Sequence, residues 1–208
     1  MIHIIDYEAG NATSVKRALD HMGVASTITK DSDEVRGAER LIFPGVGRAK
    51  SAMRVLKETG IDRALTDAYW HRIPILGICI GCQIIMTRSE EDEANCLDLI
   101  QGNCRRFEPV QEHTKVPHMG WNRLAVKRHH PILEGLSPID EVYFVHSYYP
   151  EPSESSHVFA TSDHEIEFTA ALGHRNLFAV QFHVEKSGPV GLRMLKNFAE
   201  WDGETDDV

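Results

Sequence analysis

The sequence predicts an α/β domain with a largely parallel sheet, and three observations carry that prediction. Short apolar runs rich in β-formers alternate with amphipathic helical runs through the first half of the chain, the order of βαβ units. One such run, Ile73-Pro74-Ile75-Leu76, leads straight into a glycine-flanked turn, Gly77-Ile78-Cys79-Ile80-Gly81. Further loops carrying glycine or polar residues follow other apolar runs, and in a parallel sheet loops at the carboxyl ends of strands converge on one crevice.

Taken in order, residues 2–5 predict the first strand. Asn11 is a candidate N-cap for a helix through Met22, which Gly23 then ends. Residues 26–29 and 41–43 predict short strands, and 61–71 a helix. Residues 75–78 form an apolar run of the kind buried in a parallel sheet, and 80–87 predict the helix after the turn. The middle of the chain, 103–161, is richer in short strands and turns, with strands expected at 103–107, 123–126, 141–145 and 158–161. Residues 151–157 form a polar loop. Residues 177–182 predict another strand. Ser187 could cap a final helix with Leu192, Leu195, Phe198 and Ala199 on its apolar face. The expected organisation is one domain over 1–201 and a frayed acidic tail over 202–208.

Composition narrows the function class. With 208 residues, 42% hydrophobic and 25% charged, the chain has enough material for a substantial core. The formal charge of −9 argues against nucleic-acid binding. No apolar stretch is long enough to span a membrane, and the start at Met1 lacks the basic character of a signal peptide. Four scattered cysteines suit a reducing, cytoplasmic setting.

The chemistry concentrates in two segments. In Gly77-Ile78-Cys79-Ile80-Gly81-Cys82-Gln83, glycines flank Cys79 at the spacing of a nucleophile elbow, where a strained turn lifts the nucleophile above the sheet edge. The N-terminus of the following helix favours an anion there. In Gln181-Phe182-His183-Val184-Glu185-Lys186-Ser187, an extended chain would project His183 and Glu185 to the same side. Together the segments supply a nucleophile, a base and an orienting carboxylate. A lone histidine is more often structural; the paired glutamate and the elbow reverse that reading. Cys79 and Cys82 also form a C-x-x-C, which leaves a redox reading open, but that reading has no use for His183, Glu185 or Gln83. No metal site is expected, because Cys96 and Cys104 are too far apart to form a second close pair. In Pro44-Gly45-Val46-Gly47 the glycines allow either a tight connection or an oxyanion hole shared with the Ile80 N–H. A third glycine is missing, so a dinucleotide fingerprint is weak.

Gly-x-Cys-x-Gly-x-Gln followed by Phe-His-x-Glu-Lys-Ser resembles the class I glutamine amidotransferases. Asp6-Tyr7-Glu8-Ala9-Gly10-Asn11, Ser89-Glu90-Glu91, Pro117-His118-Met119-Gly120-Trp121-Asn122 and Tyr143-Phe144-Val145-His146-Ser147-Tyr148 resemble, within that class, the glutaminase subunits of imidazole glycerol phosphate synthases. The resemblance implies a flavodoxin-like, largely parallel sheet flanked by helices, with an additional antiparallel region. It implies hydrolysis of L-glutamine to glutamate and ammonia without a cofactor. Cys79 would be the nucleophile, His183 the proton carrier and Glu185 its orienter. The backbone N–H groups of Val46 and Ile80 would hold the oxyanion, and Gly47, Gln83, Glu91, Ser147 and Tyr148 would hold the glutamine head group. Without the resemblance, Glu91 reads as one of several solvated acids and Gln83 as a polar residue of the first helical turn.

The resemblance further implies a separate (β/α)₈-barrel cyclase subunit that receives the ammonia in a heterodimer. Asn11, Met119 and Trp121 would lie at that interface, and Pro117, His118 and Asn122 would border the channel; Trp121 could equally fill the chain's own core. Two positions depart from the family pattern: Val184 stands where proline is usual, and Glu8 where glycine is usual. A protein of this kind can serve a different synthase, act alone as a hydrolase, or persist as an inactive regulator. With one oxyanion donor turned away, a cost of ~10²–10³ in rate, the isolated chain is expected to be nearly silent.

Overall fold

The computed structural model of the chain describes residues 1–8, 11–108, 111 and 114–205. The expected features at Ala9 and Gly10, and the end of the tail at 206–208, lie outside the described residues.

Four parallel strands and the helices between them come first: β1 (Ile2–Ile5), α1 (Ala12–His21), β2 (Ser26–Thr29), α2 (Ser32–Arg36), β3 (Arg40–Gly45), α3 (Ala49–Thr59), α4 (Ile61–Trp70), β4 (Ile75–Cys79) and α5 (Ile80–Ile84). The short strands β5 (Arg88–Ser89), β6 (Ala94–Asn95), β7 (Gly102–Arg106), β8 (His118–Arg123) and β9 (Ala125–Val126) follow. Then come β10 (Glu141–His146), β11 (Tyr148–Pro152), β12 (Val158–His164), β13 (Ile166–His174), β14 (Leu177–Val180) and α6 (Gly188–Glu200). The main sheet has the order β2-β1-β3-β4-β14-β13-β12-β9. It is parallel from β2 to β14 and antiparallel beyond. An antiparallel β8–β10 ribbon and a small sheet of order β11-β7-β5-β6 cover the region beside its centre. No described helix is long and apolar enough to cross a membrane.

Strand alternation divides the core between the two faces of the sheet. Ile4, Ile42, Leu76, Ile78, Phe178 and Val180 pack with α1 and α6. Ile5, Leu41, Phe43, Ile75 and Ala179 pack with α2, α3 and α4 on the other face. The result is a three-layer sandwich whose parallel strands β1, β3, β4 and β14 all end at one edge, where the segments 6–8, 46–48, 79–83 and 181–187 meet.

Several elements differ from expectation for local reasons. Two helices lie where the sequence pattern assigns none. One, α3, buries Ala49, Ala52, Met53 and Leu56 at helical spacing. The other, α2, starts from Asp31, whose side chain accepts from the Asp33 N–H at 2.7 Å. The post-elbow helix, expected through Thr87, stops at Ile84, because the carbonyls of Ile84, Ile85 and Met86 accept N–H groups of residues 97–100. Asn11 begins α1 but makes no side-chain cap. Ser187 makes none for α6; its hydroxyl donates to the His183 carbonyl and accepts from the Tyr143 N–H. The tail expected to fray from Asp202 is tied down through Thr205. Trp201 Nε1 donates to the Glu204 carbonyl, and the Thr205 hydroxyl donates to the Arg175 carbonyl.

Two backbone positions generate predictions. A Cβ on Gly81 would stand 1.9 Å from the Phe43 carbonyl oxygen, so α5 touches β3 backbone to backbone. Gly81→Ala is expected to lower the unfolding free energy by at least about 2 kcal/mol in urea titrations. Glu8 has φ 69°, a left-handed conformation that glycine adopts without strain. Glu8→Gly is expected to raise the unfolding free energy by about 1 kcal/mol in the same assay.

Candidate active site

The centre of the site is Cys79, the last residue of β4, with φ 55° and ψ −105°. Such a conformation is costly for a residue with a side chain and survives only where its surroundings enforce it. Here the enforcement is visible. Gly81 lets α5 press on Phe43, and a Cβ on Gly77 would sit 3.1 Å from both the Ala179 side chain and the Gly81 carbonyl oxygen. The turn aims Cys79 into a cavity of about 360 Å³ at the carboxyl edge of the sheet. Cys82 points away into the core on the other face, its thiol pushed well above its ordinary pKa by burial. The two cysteines of the C-x-x-C therefore lie in different cores.

His183 and Glu185 meet, but not by strand alternation. The strand ends at Val180, and Val184–Lys186 forms a single 3₁₀ turn. Val184 packs into the core at the start of that turn. His183 is anchored by its backbone N–H, which donates to the Tyr143 carbonyl at 2.9 Å. Its Nδ1–H donates to Glu185 Oε1 at 2.8 Å, since a carboxylate can only accept. Asn11 Nδ2 donates to the same oxygen at 2.9 Å. That bond explains the missing cap: the Asn11 side chain is buried against the carboxylate rather than presented at a surface.

His183 Nε2 has no nitrogen or oxygen partner among the described residues, and the ring lines the same cavity as Cys79. Burial pushes the ring's pKa down, but hydrogen bonding to Cys79 and Glu185 outweighs it and raises the pKa to about 9. Burial likewise opposes the charge on Glu185, and the His183 and Asn11 bonds outweigh it, holding the carboxyl below its ordinary range.

Val46, Gly47, Cys79, Ile80, Gln83, Glu91, Ser147, Tyr148 and His183 all line the same cavity. Gln83 Nε2 donates to the Tyr148 carbonyl at 3.0 Å and to Gln181 Oε1 at 3.1 Å. Its own Oε1 is buried without a partner among the described residues. Glu91 is not a loosely solvated acid: one oxygen accepts the Ala49 N–H at 2.7 Å, which fixes the carboxylate at the cavity rim. Met119 and Trp121 are 63% and 54% exposed on the outer face of β8, so Trp121 does not fill the chain's own core. Strand alternation turns His118 inward. Pro117 lines both the Cys79 cavity and a neighbouring hollow of about 340 Å³ bounded by Met119.

Three contributors escape the sequence reading. Gln181 is fully buried, and its Nε2 lies 3.9 Å from Cys79 Sγ. Tyr7 places its buried hydroxyl against Gly45. His146 lines the cavity wall. Proximity to a recognised motif marked each of them, but nothing in their spacing did.

The profile of the glutamine amidotransferase class-I family matches residues 3–201, and this chain belongs to that family. Curated relatives named imidazole glycerol phosphate synthase subunit HisH lie close within it. One from Nitratidesulfovibrio vulgaris is 48% identical over the whole of both chains. Another from Bacteroides fragilis is 43% identical over 96% of this chain and 98% of its own. In fold, the chain matches a solved glutamine amidotransferase with a TM-score of 0.74 at 16% identity. The match covers 96% of this chain and 97% of that one. PurLQS from Thermotoga maritima matches with a TM-score of 0.74 at 15% identity, over 96% and 97% of the two chains.

The His183 titration is testable through stability. Its pKa is raised in the folded chain above the unfolded value of about 6.5. The stabilisation is therefore complete below that pH and lost as pH rises through about 9. The urea midpoint of the native sequence is expected to fall across that window by more than that of His183→Gln; equal declines would show that the ring does not titrate there.

Proposed function

We propose that the chain is the glutaminase subunit of an imidazole glycerol phosphate synthase. On this reading it hydrolyses L-glutamine and delivers ammonia to a separate HisF-type (β/α)₈ cyclase subunit. The observation that carries the chemistry is the strained Cys79 elbow facing His183 Nε2, with Nδ1 held by Glu185. The identity of the synthase rests on the relatives named HisH.

In the mechanism, Cys79 Sγ gives its proton to His183 Nε2, forming a thiolate–imidazolium pair, and the thiolate attacks the side-chain carboxamide carbon. The oxygen of the tetrahedral intermediate takes its negative charge toward the backbone N–H groups of Val46 and Ile80. Collapse breaks the C–N bond as His183 protonates the departing nitrogen, which leaves as ammonia. A glutamyl thioester remains on Cys79. Water then attacks the thioester with His183 accepting its proton, and glutamate leaves as the thiol is restored. Glu185 orients the ring throughout, and Asn11 orients Glu185.

The glutamine head group suits the opposite wall. Its ammonium finds Glu91 beside Gln83, and its carboxylate lies toward Gly47 and the Ser147–Tyr148 backbone. Pro117 borders both hollows and marks the exit for ammonia. The cyclase subunit covers the exposed Met119 and Trp121, apolar side chains of the type that anchor interfaces.

Glutamate release from glutamine tests the reading, measured for the chain alone and with a cyclase subunit holding its nucleotide ligand. Release is expected to be nearly absent alone, to rise by ~10²–10³ with the cyclase, and to vanish in Cys79→Ala. Trp121→Ala is expected to weaken the cyclase complex by tenfold or more, about 1.4 kcal/mol or greater. Strong turnover by the chain alone would overturn the dependence on the partner.

A further inference from the structure

We propose that His146 and His118 are positioning residues: a one-way hydrogen-bond relay through them sets the wall of the glutamine pocket and ties it to the β8 face. The proposal rests on the glutaminase reading above and deepens it.

The relay begins at the Tyr148 carbonyl, which accepts Gln83 Nε2 at 3.0 Å and His146 Nδ1 at 2.8 Å. A carbonyl cannot donate, so His146 carries its proton on Nδ1. Phe107, Phe144 and Phe168 surround the His146 ring at centroid distances of 5.2, 5.4 and 5.2 Å. Burial lowers its pKa to about 3, so the ring is neutral and its Nε2 bare. His118 Nδ1 lies 3.0 Å from that bare nitrogen and must be the donor. Burial also keeps His118 neutral, with its pKa lowered to about 4, and its Nε2 accepts Asn122 Nδ2 at 3.4 Å. The Asn122 amide is itself held at 2.7 Å by the Asp163 carbonyl. His164 stacks on His118 at 4.3 Å and fixes the ring plane.

Every proton in this chain of contacts points from β8 toward Tyr148, and each bond dictates the tautomer of the next ring. His118 and His146 are direct partners in the β8–β10 register. Along β8, His118 and Asn122 alternate with Met119 and Trp121, so the strand that joins the relay inside presents the proposed docking side chains outside. At the other end, the Tyr148 carbonyl orients the side-chain amide of Gln83, a residue that lines the cavity. Docking on β8 therefore acts on glutamine affinity through the relay, separately from any effect on the oxyanion hole.

Substitutions at His146 separate the two halves. Asparagine places an amide nitrogen at the δ position, where it still donates to Tyr148 but cannot reach His118; leucine removes both contacts. The expected result is a KM for glutamine raised about tenfold in His146→Leu with kcat changed less than about threefold. His146→Asn is expected to restore the native Kd for glutamine of the chain alone, read by calorimetry. The cyclase subunit is expected to tighten glutamine binding by the native chain, and both His146→Asn and His118→Phe are expected to lose that gain. An unmoved KM in His146→Leu, a loss confined to kcat, or a full partner response in both other variants would overturn the relay. Nitrogen-15 NMR of labelled histidines, with neither glutamine nor partner present, supplies the independent reading. His118 and His146 are expected as Nδ1–H tautomers that do not titrate between about pH 5 and 8. An Nε2–H tautomer at either ring overturns the relay whatever the chain's activity. Correct tautomers with no glutamine turnover by the native chain and its partner would instead overturn the glutaminase reading, and with it the role given to the relay.

Discussion

The backbone contact between α5 and β3 is the constraint on which the site depends. Gly81 lies so close to the Phe43 carbonyl that no side chain fits between them. That approach starts the helix immediately after β4 and leaves Cys79 to absorb the change of direction in a left-handed conformation. Strain of this kind persists only when packing on every side enforces it, and Gly77, Ala179 and Phe43 provide that packing. The same approach gathers the ends of β3, β4 and β14 at one edge, so the thiol, the Val46–Gly47 loop and the His183 turn share one cavity.

Around the thiol, order comes from groups that can play only one hydrogen-bonding part. The Glu185 carboxylate can only accept, so it takes the Nδ1 proton of His183 and leaves Nε2 to Cys79. The Tyr148 carbonyl can only accept, so it sets His146, and His146 sets His118. Burial keeps these last two rings neutral, whereas His183, paired with a buried carboxylate and a thiol, is driven the other way. Histidines gathered around one site thus hold different protonation states because their partners differ in kind.

Much of the architecture was legible from local pattern. The strands at 2–5, 26–29 and 75–78 and the helix from Ile61 are set by apolar runs and glycine stops within the segment itself. The two missed helices and the shortened α5 show the limit. The end of α5 is decided by residues 97–100, which take the carbonyls that further helical turns would have used. His183 and Glu185 were recognisable as a pair, yet a 3₁₀ turn rather than an extended strand brings them together.

By itself, then, the sequence determined the parallel α/β core, the turn at Cys79 and the nearness of His183 to Glu185, because hydrophobic period and residue spacing act over a few neighbouring residues. Only the tertiary structure decided which groups complete the site. Asn11 reaches Glu185 across 174 positions and Gln181 reaches Cys79 across 102, while Glu91 closes on the start of α3 across 42. No period or spacing encodes such contacts. They exist because parallel strands far apart in the chain end at the same edge of one sheet, where buried donors and acceptors must find partners.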